Sequence, residues 1–148
     1  MNALVNDTEA TLIWHAFANP STSMSLILGT GLNVAAMLPV SVFPPHKLGG
    51  RAEEWLQAAK VVLINTEISM FGADILPVTD ADRALDAASN APGFQPLEQL
   101  TSGRYLGEIV RLTLEEGTKA GHLFDGAMPV ALQMRFGLDT RIVALLET

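Results

Sequence analysis

Cysteine is absent from the 148 residues, which excludes disulfides, thiolate metal sites and a cysteine nucleophile together. Cations are scarce: nine Lys and Arg stand against sixteen Asp and Glu, for a formal net charge of −7. They form no basic cluster, so general nucleic-acid binding, which needs Lys and Arg gathered on one face, is not expected. No apolar run approaches the ~20 residues that span a bilayer, and no membrane partner is expected. Met1-Asn2-Ala3-Leu4 carries no basic stretch ahead of an apolar one, so it does not read as a signal peptide. Internal repeats and low-complexity segments are also lacking. What is present is 49% apolar residues, ample for the core of one ordinary domain of this length. With only 17% charged residues the composition argues against disorder. The composition predicts a soluble, acidic, intracellular single domain, with the cytoplasm as its expected location.

The apolar run Ala3-Leu4-Val5 predicts a short strand leading into Asn6-Asp7-Thr8. From Glu9 to Ala18, Leu12, Ile13, Ala16 and Phe17 mark one helical face, with Asp7 or Thr8 as cap and Pro20 as stop. Met24–Leu28 and Asn33–Leu38 flank Gly29-Thr30-Gly31 and predict adjacent strands. Pro39, Pro44, Pro45, Gly49 and Gly50 predict a loop, and a short helix follows over 51–59. Lys60–Thr66 is rich in β-branched residues and apolar on both parities, the pattern of a strand buried on both faces. Residues 72–93 read as irregular, with a helical turn or two near 83–89. From Pro96 the chain turns helical, breaks at Gly103, and continues as a long helix over 104–120. Its stripe of Arg104, Glu108, Arg111, Glu115 and Lys119 predicts an exposed face, opposite a buried one of Leu106, Ile109, Val110 and Leu114. Gly121 is a natural stop, and the last ten residues read as helix.

Four short segments could carry chemistry. Asn6-Asp7-Thr8 lies where open α/β sheets collect ligands, and a carboxylate there can act as general base on a hydroxyl. The plainer account is a helix cap. Gly29-Thr30-Gly31-Leu32-Asn33 has two glycines that let backbone approach a ligand, and the N–H groups of such a turn can cradle an anion. A hairpin turn needing glycine for positive φ explains it as well. Asn65-Thr66-Glu67 closes the most apolar strand, its carboxylate exposed or held by hydrogen bonds. Glu98 precedes the long helix, where a helix dipole also favours an acid. Together these side chains suit sugar hydroxyls, since paired acceptors and amides discriminate a polyol. His15, His46 and His122 show no metal-ligand spacing, and no protein metal site is expected.

The order of these motifs carries a resemblance. Asn6-Asp7-Thr8, Leu28-Gly29-Thr30-Gly31-Leu32-Asn33, Ile64-Asn65-Thr66-Glu67, Phe71-Gly72, Glu98 and Ser102-Gly103-Arg104-Tyr105-Leu106-Gly107-Glu108 together resemble the eukaryotic hexokinase family. The likeness is nearest to divergent hexokinase-like proteins of filamentous fungi. It implies a ribonuclease H-like, actin-like ATPase fold: a segment of the large lobe, a mixed sheet with flanking helices, incomplete over residues 1–148. It further implies an ATP-dependent kinase acting on a hexose such as glucose, with magnesium held by the nucleotide. Asp7 matches the family's base for the sugar's primary hydroxyl. Asn6, Asn33, Glu67 and Glu98 match residues that hold the other hydroxyls. Gly29, Thr30 and Gly31 match a phosphate-binding turn, and Arg104 a basic residue near the nucleotide.

Departures from the family accompany the likeness. Ile68-Ser69-Met70 stands where the family has Trp and small residues, crowding a turn beside the sugar, and Pro39 stands where an acidic pair is usual. The family's small lobe and adenosine-binding segment have no counterpart here, so the chain amounts to about a third of the enzyme it resembles. Three readings stay open. One is a hexose kinase segment with little activity by itself. Another is a non-catalytic hexokinase-like sugar sensor or regulator. The last is an interaction domain that self-associates through uncovered apolar edges.

Overall fold

A computed structural model of the chain describes residues 4–146. Their contacts gather into two compact units, one over residues up to Ile27 and from Asn33 to Glu67, the other over Leu28–Leu32 and from Ile68 onward.

The first unit contains helix α1, Asp7–Ala18. Its cap is Asn6, not Asp7 or Thr8: the Asn6 side chain accepts the Thr8 N–H at 2.9 Å, and the Glu9 carboxylate accepts the Asn6 N–H at 3.1 Å. Asn6 is the last residue with extended backbone, so its side chain is the one aimed at the free N–H groups of the first turn. The strand expected ahead of it does not form at Leu4 and Val5, which are exposed and carry no sheet partner; Ala3 lies outside the described residues. Strands β1 (Met24–Leu28), β2 (Leu32–Pro39) and β3 (Val61–Asn65) form a sheet in that order. The Gly-Thr-Gly hairpin joins β1 to β2 as the sequence predicts. Strands β2 and β3 run antiparallel, with Ala35 opposite Asn65 and Pro39 opposite Val61. β3 is therefore an edge strand among the described residues, packed on α1 and half-buried, rather than covered on both faces. Its β-branched run serves sheet propensity and one covered face, which periodicity cannot separate from full burial. A short helix, α2 (Glu53–Ala58), precedes β3. Thr8, Leu12 and Ala35 are fully buried, and Ser25 Oγ on β1 donates to the Thr8 carbonyl at 2.7 Å. That bond fixes the first turn of α1 to the sheet.

The second unit is helical: α3 (Asp80–Ala87), α4 (Pro96–Thr101), α5 (Gly103–Lys119), α6 (Val130–Gln133) and α7 (Thr140–Leu145). Helix α3 is longer than the sequence suggests because Thr79 and Asp82 form a capping box at its start. Helices α3, α4 and α7 all pack on α5. Here the predicted faces of α5 need correction. Leu106, Ile109, Val110 and Leu114 are only half-buried, whereas Glu108 and Arg111 of the supposedly exposed stripe are 2% and 6% exposed. The Arg111 guanidinium forks onto both oxygens of Glu108 at 2.8 Å. The carboxylate also takes the Phe136 N–H at 2.5 Å, and Arg111 donates to the Leu132 carbonyl at 3.1 Å. The chain over 130–140 thus covers the polar side of α5, and each buried charge is paired and hydrogen-bonded as burial requires. These contacts raise the Arg111 pKa, chiefly through its hydrogen bond to Glu108.

Candidate functional site

In the first unit, Asn6 and Asp7 sit at the start of α1. Asn6 spends its side-chain oxygen on the cap. The Asp7 carboxyl is exposed, with Oδ1 accepting the Thr8 N–H at 2.8 Å and the Thr8 hydroxyl at 3.4 Å, and with no hydrogen bond to Oδ2 among the described residues. Asn33, near the start of β2, faces the end of β3. Its Nδ2 donates to Asn65 Oδ1 at 2.7 Å, and Asn65 Nδ2 donates to Glu67 Oε1 at 2.6 Å. Glu67 is exposed and adopts a left-handed backbone, φ 48°. A non-glycine residue held there is strained by about 1 kcal/mol and points to a local purpose. The structure thus joins Asn33 to Glu67, though through Asn65. Among the described residues no hydrogen bond joins Asn6 or Asp7 to them.

In the second unit, the turn at Gly29-Thr30-Gly31 meets α4 and α5. Glu98, in the first turn of α4, accepts the Leu32 N–H on Oε2 at 2.9 Å across 66 residues of sequence. The carbonyl of Gly29 accepts the Gly103 N–H at 2.7 Å, at the junction of α4 and α5. Neither Gly29 nor Gly31 has a left-handed φ, so the ordinary hairpin reason for glycine does not apply. At Gly31 the reason is close approach: a Cβ would lie 2.8 Å from Glu98 Oε2. Thr30 and Arg104 then line one open depression of about 400 Å³ together with Gly103, Asp139, Thr140 and Arg141. Thr140 Oγ1 is inserted into the first turn of α5, donating to the Gly103 carbonyl at 2.6 Å and accepting the Gly107 N–H at 2.9 Å. Arg141 Nη2 lies 2.6 Å from Asp139. That hydrogen bond is the main cause holding the Asp139 carboxyl at about 2, below the usual carboxylate value.

Ser69, of the departing Ile68-Ser69-Met70 turn, is buried and its hydroxyl accepts from Gln95 Nε2 at 3.3 Å. Met70 is 43% exposed. The turn therefore takes its larger side chains by sealing one against α4 and turning the other outward. Asn65 belongs to a candidate segment but carries no expected role of its own, and the Asp139–Arg141 corner is not among the expected site residues. A strand-ending Asn does not reveal its partners, and nothing local in the last helix foretells its approach to Thr30.

The chemistry available is that of polyol and phosphate binding. Asn33 and Glu67 offer a donor and an acceptor side by side. The amides of Thr30 and Gly31 have no protein acceptor among the described residues. Thr30 lines its depression with Gly103 and Arg104 at the start of α5, where the Gly103 N–H is already taken by the Gly29 carbonyl.

Comparison with known proteins agrees in sequence and in fold. The family model described as hexokinase matches residues 23–148. A hexokinase of Schwanniomyces occidentalis is 37% identical over 147 residues, covering 98% of this chain and 30% of its own. Rice hexokinase-7 (Oryza sativa subsp. japonica) is 36% identical, covering 99% and 30%. The solved structure of a Schistosoma mansoni hexokinase complexed with glucose superposes with a TM-score of 0.85 at 36% identity, covering 98% of this chain and 32% of that one. The chain spans about 30% of the length of the curated relatives it matches, and these come from yeast and plant alike. A mixed α/β architecture of small sheet and packed helices, motifs in family order, and likeness over nearly all its residues establish that the chain belongs to the hexokinase family.

Proposed function

We propose that the chain carries the hexose-binding and base-supplying part of an ATP-dependent hexose kinase, matching the central part of the family's large lobe. Asn6, Asn33, Glu67 and Glu98 hold hydroxyls of the sugar. Asp7 accepts the proton of the primary hydroxyl as its oxygen attacks the γ-phosphorus; the β–γ bridging oxygen leaves with ADP. Such transfer asks mainly for positioning and charge stabilisation. The open carboxyl of Asp7, at the first turn of a helix fixed by Asn6 and Ser25, suits the base.

Nucleotide phosphates, with magnesium entering as their counter-ion, lie in this reading along Gly29-Thr30-Gly31. Support for this is that Thr30, whose amide has no protein acceptor among the described residues, and Arg104 line one depression. The magnesium–nucleotide supplies charge neutralisation at the transferring group. The observation that carries the proposal is the Glu98–Leu32 bond. It ties a residue assigned to sugar to the turn assigned to phosphate, as a machine that brings the two substrates together requires.

Because the chain spans about 30% of its relatives' length, little or no turnover is expected of the 148 residues by themselves. A coupled ATP/glucose assay at high protein concentration tests this. Turnover abolished by Asp7→Ala would keep the base and overturn the inactivity. The alternative, suggested by the sequence departure at Ile68-Ser69-Met70, is a non-catalytic sugar-sensing role, and it expects glucose binding without turnover even in a longer form that contains both lobes.

A further inference from the structure

We propose that Asn65 positions the Asn33 amide and the Glu67 carboxylate for the sugar; this rests on the hexose-binding reading above. Two groups in this relay have a polarity that cannot change. The Val34 N–H can only donate, and it donates to Asn33 Oδ1 at 2.8 Å. Asn33 must therefore turn Nδ2 toward Asn65, whose Oδ1 receives it at 2.7 Å. That leaves Asn65 Nδ2 for Glu67 Oε1, 2.6 Å away, and a carboxylate can only accept. Both amide orientations are thus fixed from the two ends of the relay.

The consequence concerns the ligand. Asn33 has committed one N–H and its oxygen, so it presents the remaining N–H to a hydroxyl oxygen. Glu67 has committed Oε1 and presents Oε2 to a hydroxyl hydrogen. The pair reads two hydroxyls of opposite role, one accepting and one donating. Among the described residues Asn65 is the partner that holds the Glu67 carboxylate, which stands exposed on a left-handed backbone of φ 48°. Without that bond the carboxylate is free to rotate, and preorganisation is lost. Asn65 itself need not touch the sugar; it is a positioning residue.

Glucose titrations by calorimetry on the full chain test this, using wild type, Asn65→Leu, Asn65→Asp, Glu67→Gln and the Asn65→Leu/Glu67→Gln double variant. Asn65→Leu is expected to weaken glucose about tenfold, the scale of one hydrogen bond to a charged group, with little change in melting temperature. The double variant should lose no more than the worse single one, because both act on one contact. Asn65→Asp is nearly isosteric and keeps the Asn33 bond but faces Glu67 with a second carboxylate. It should bind at least as weakly, and it decides the matter if Asn65→Leu does not fold. A panel of monodeoxy glucoses should contain one that Asn65→Leu binds as well as wild type does. Wild-type affinity in both Asn65 variants, or additive losses in the double one, overturns the positioning role alone. Absence of glucose binding by wild type overturns the hexose reading and this role with it.

Discussion

Gly31 and Glu98 meet so closely that neither can change freely. An added Cβ at Gly31 would lie 2.8 Å from Glu98 Oε2 and push the carboxylate off the Leu32 N–H. Gly31→Ala is expected to cost about 1–2 kcal/mol, for one charged hydrogen bond and a crowded turn; urea melts measure it. Glycine in such a turn is visible in sequence, but its reason is not. A hairpin φ was the natural expectation, and a carboxylate arriving from 66 residues away is the actual cause. The cap of α1 shows the same limit on a smaller scale. Asn6, Asp7 and Thr8 all have capping chemistry, and only the backbone of Asn6, extended just before the helix, decides between them. At Asp139 the sign of a charge effect can be worked out. Its folded value of about 2 lies below the ordinary 3.8 because Arg141 favours the ionised form. The pair's contribution is therefore present above pH 3.8 and lost as pH falls through about 2. A carboxyl-resonance titration should place the Asp139 midpoint near 2 and show it rising in Arg141→Ala.

Helix α5 shows what period and what burial each contribute. The break ahead of it falls at extended Ser102, and Gly103 opens the helix instead of breaking it; its length and its stop before Gly121 were legible, because a terminal glycine and alternating charges are local signals. Which face is covered was not, because the cover comes from residues 130–140. Glu108, with Arg111 and the Phe136 N–H on its carboxylate, ties that cover down. Glu108→Ala would leave a buried guanidinium with only Glu115 and the Leu132 carbonyl. A loss of about 3 kcal/mol is expected, as for one partner removed from a buried pair, read from thermal or denaturant melts. Gly107 is the second anchor. A Cβ there would run into the Leu138 carbonyl and lie 2.9 Å from the Thr140 N. Gly107→Ala should therefore separate α7 from α5 at a cost of about 2–3 kcal/mol, the range for forced overpacking. It should also disturb the depression that Thr140 and Arg104 share. Nuclear magnetic resonance shifts at Thr30 and Arg104 in that variant, compared with wild type, would show whether the corner moves.

At the scale of the molecule, the motifs in order revealed the family before any geometry was known, while composition alone indicated no more than an acidic domain. Spacing carries that information because each motif sits at a strand or helix end. Composition was silent because polar site residues are few among 148. Large apolar side chains such as Trp14, Phe17 and Ile75 stand 70%, 85% and 87% exposed, so much of the apolar excess lies outside the core. If these residues bind a hexose for phosphoryl transfer, as proposed, Asp7 acts as base and Glu67 and Glu98 as ligands. Titration of glucose into the chain, beside Asp7→Asn, Glu67→Gln and Glu98→Gln, tests it most directly. Saturable one-site binding is expected, surviving Asp7→Asn and weakening at least tenfold in the other two variants, the scale of a lost charged hydrogen bond. No binding, or binding indifferent to Glu67 and Glu98, would contradict it.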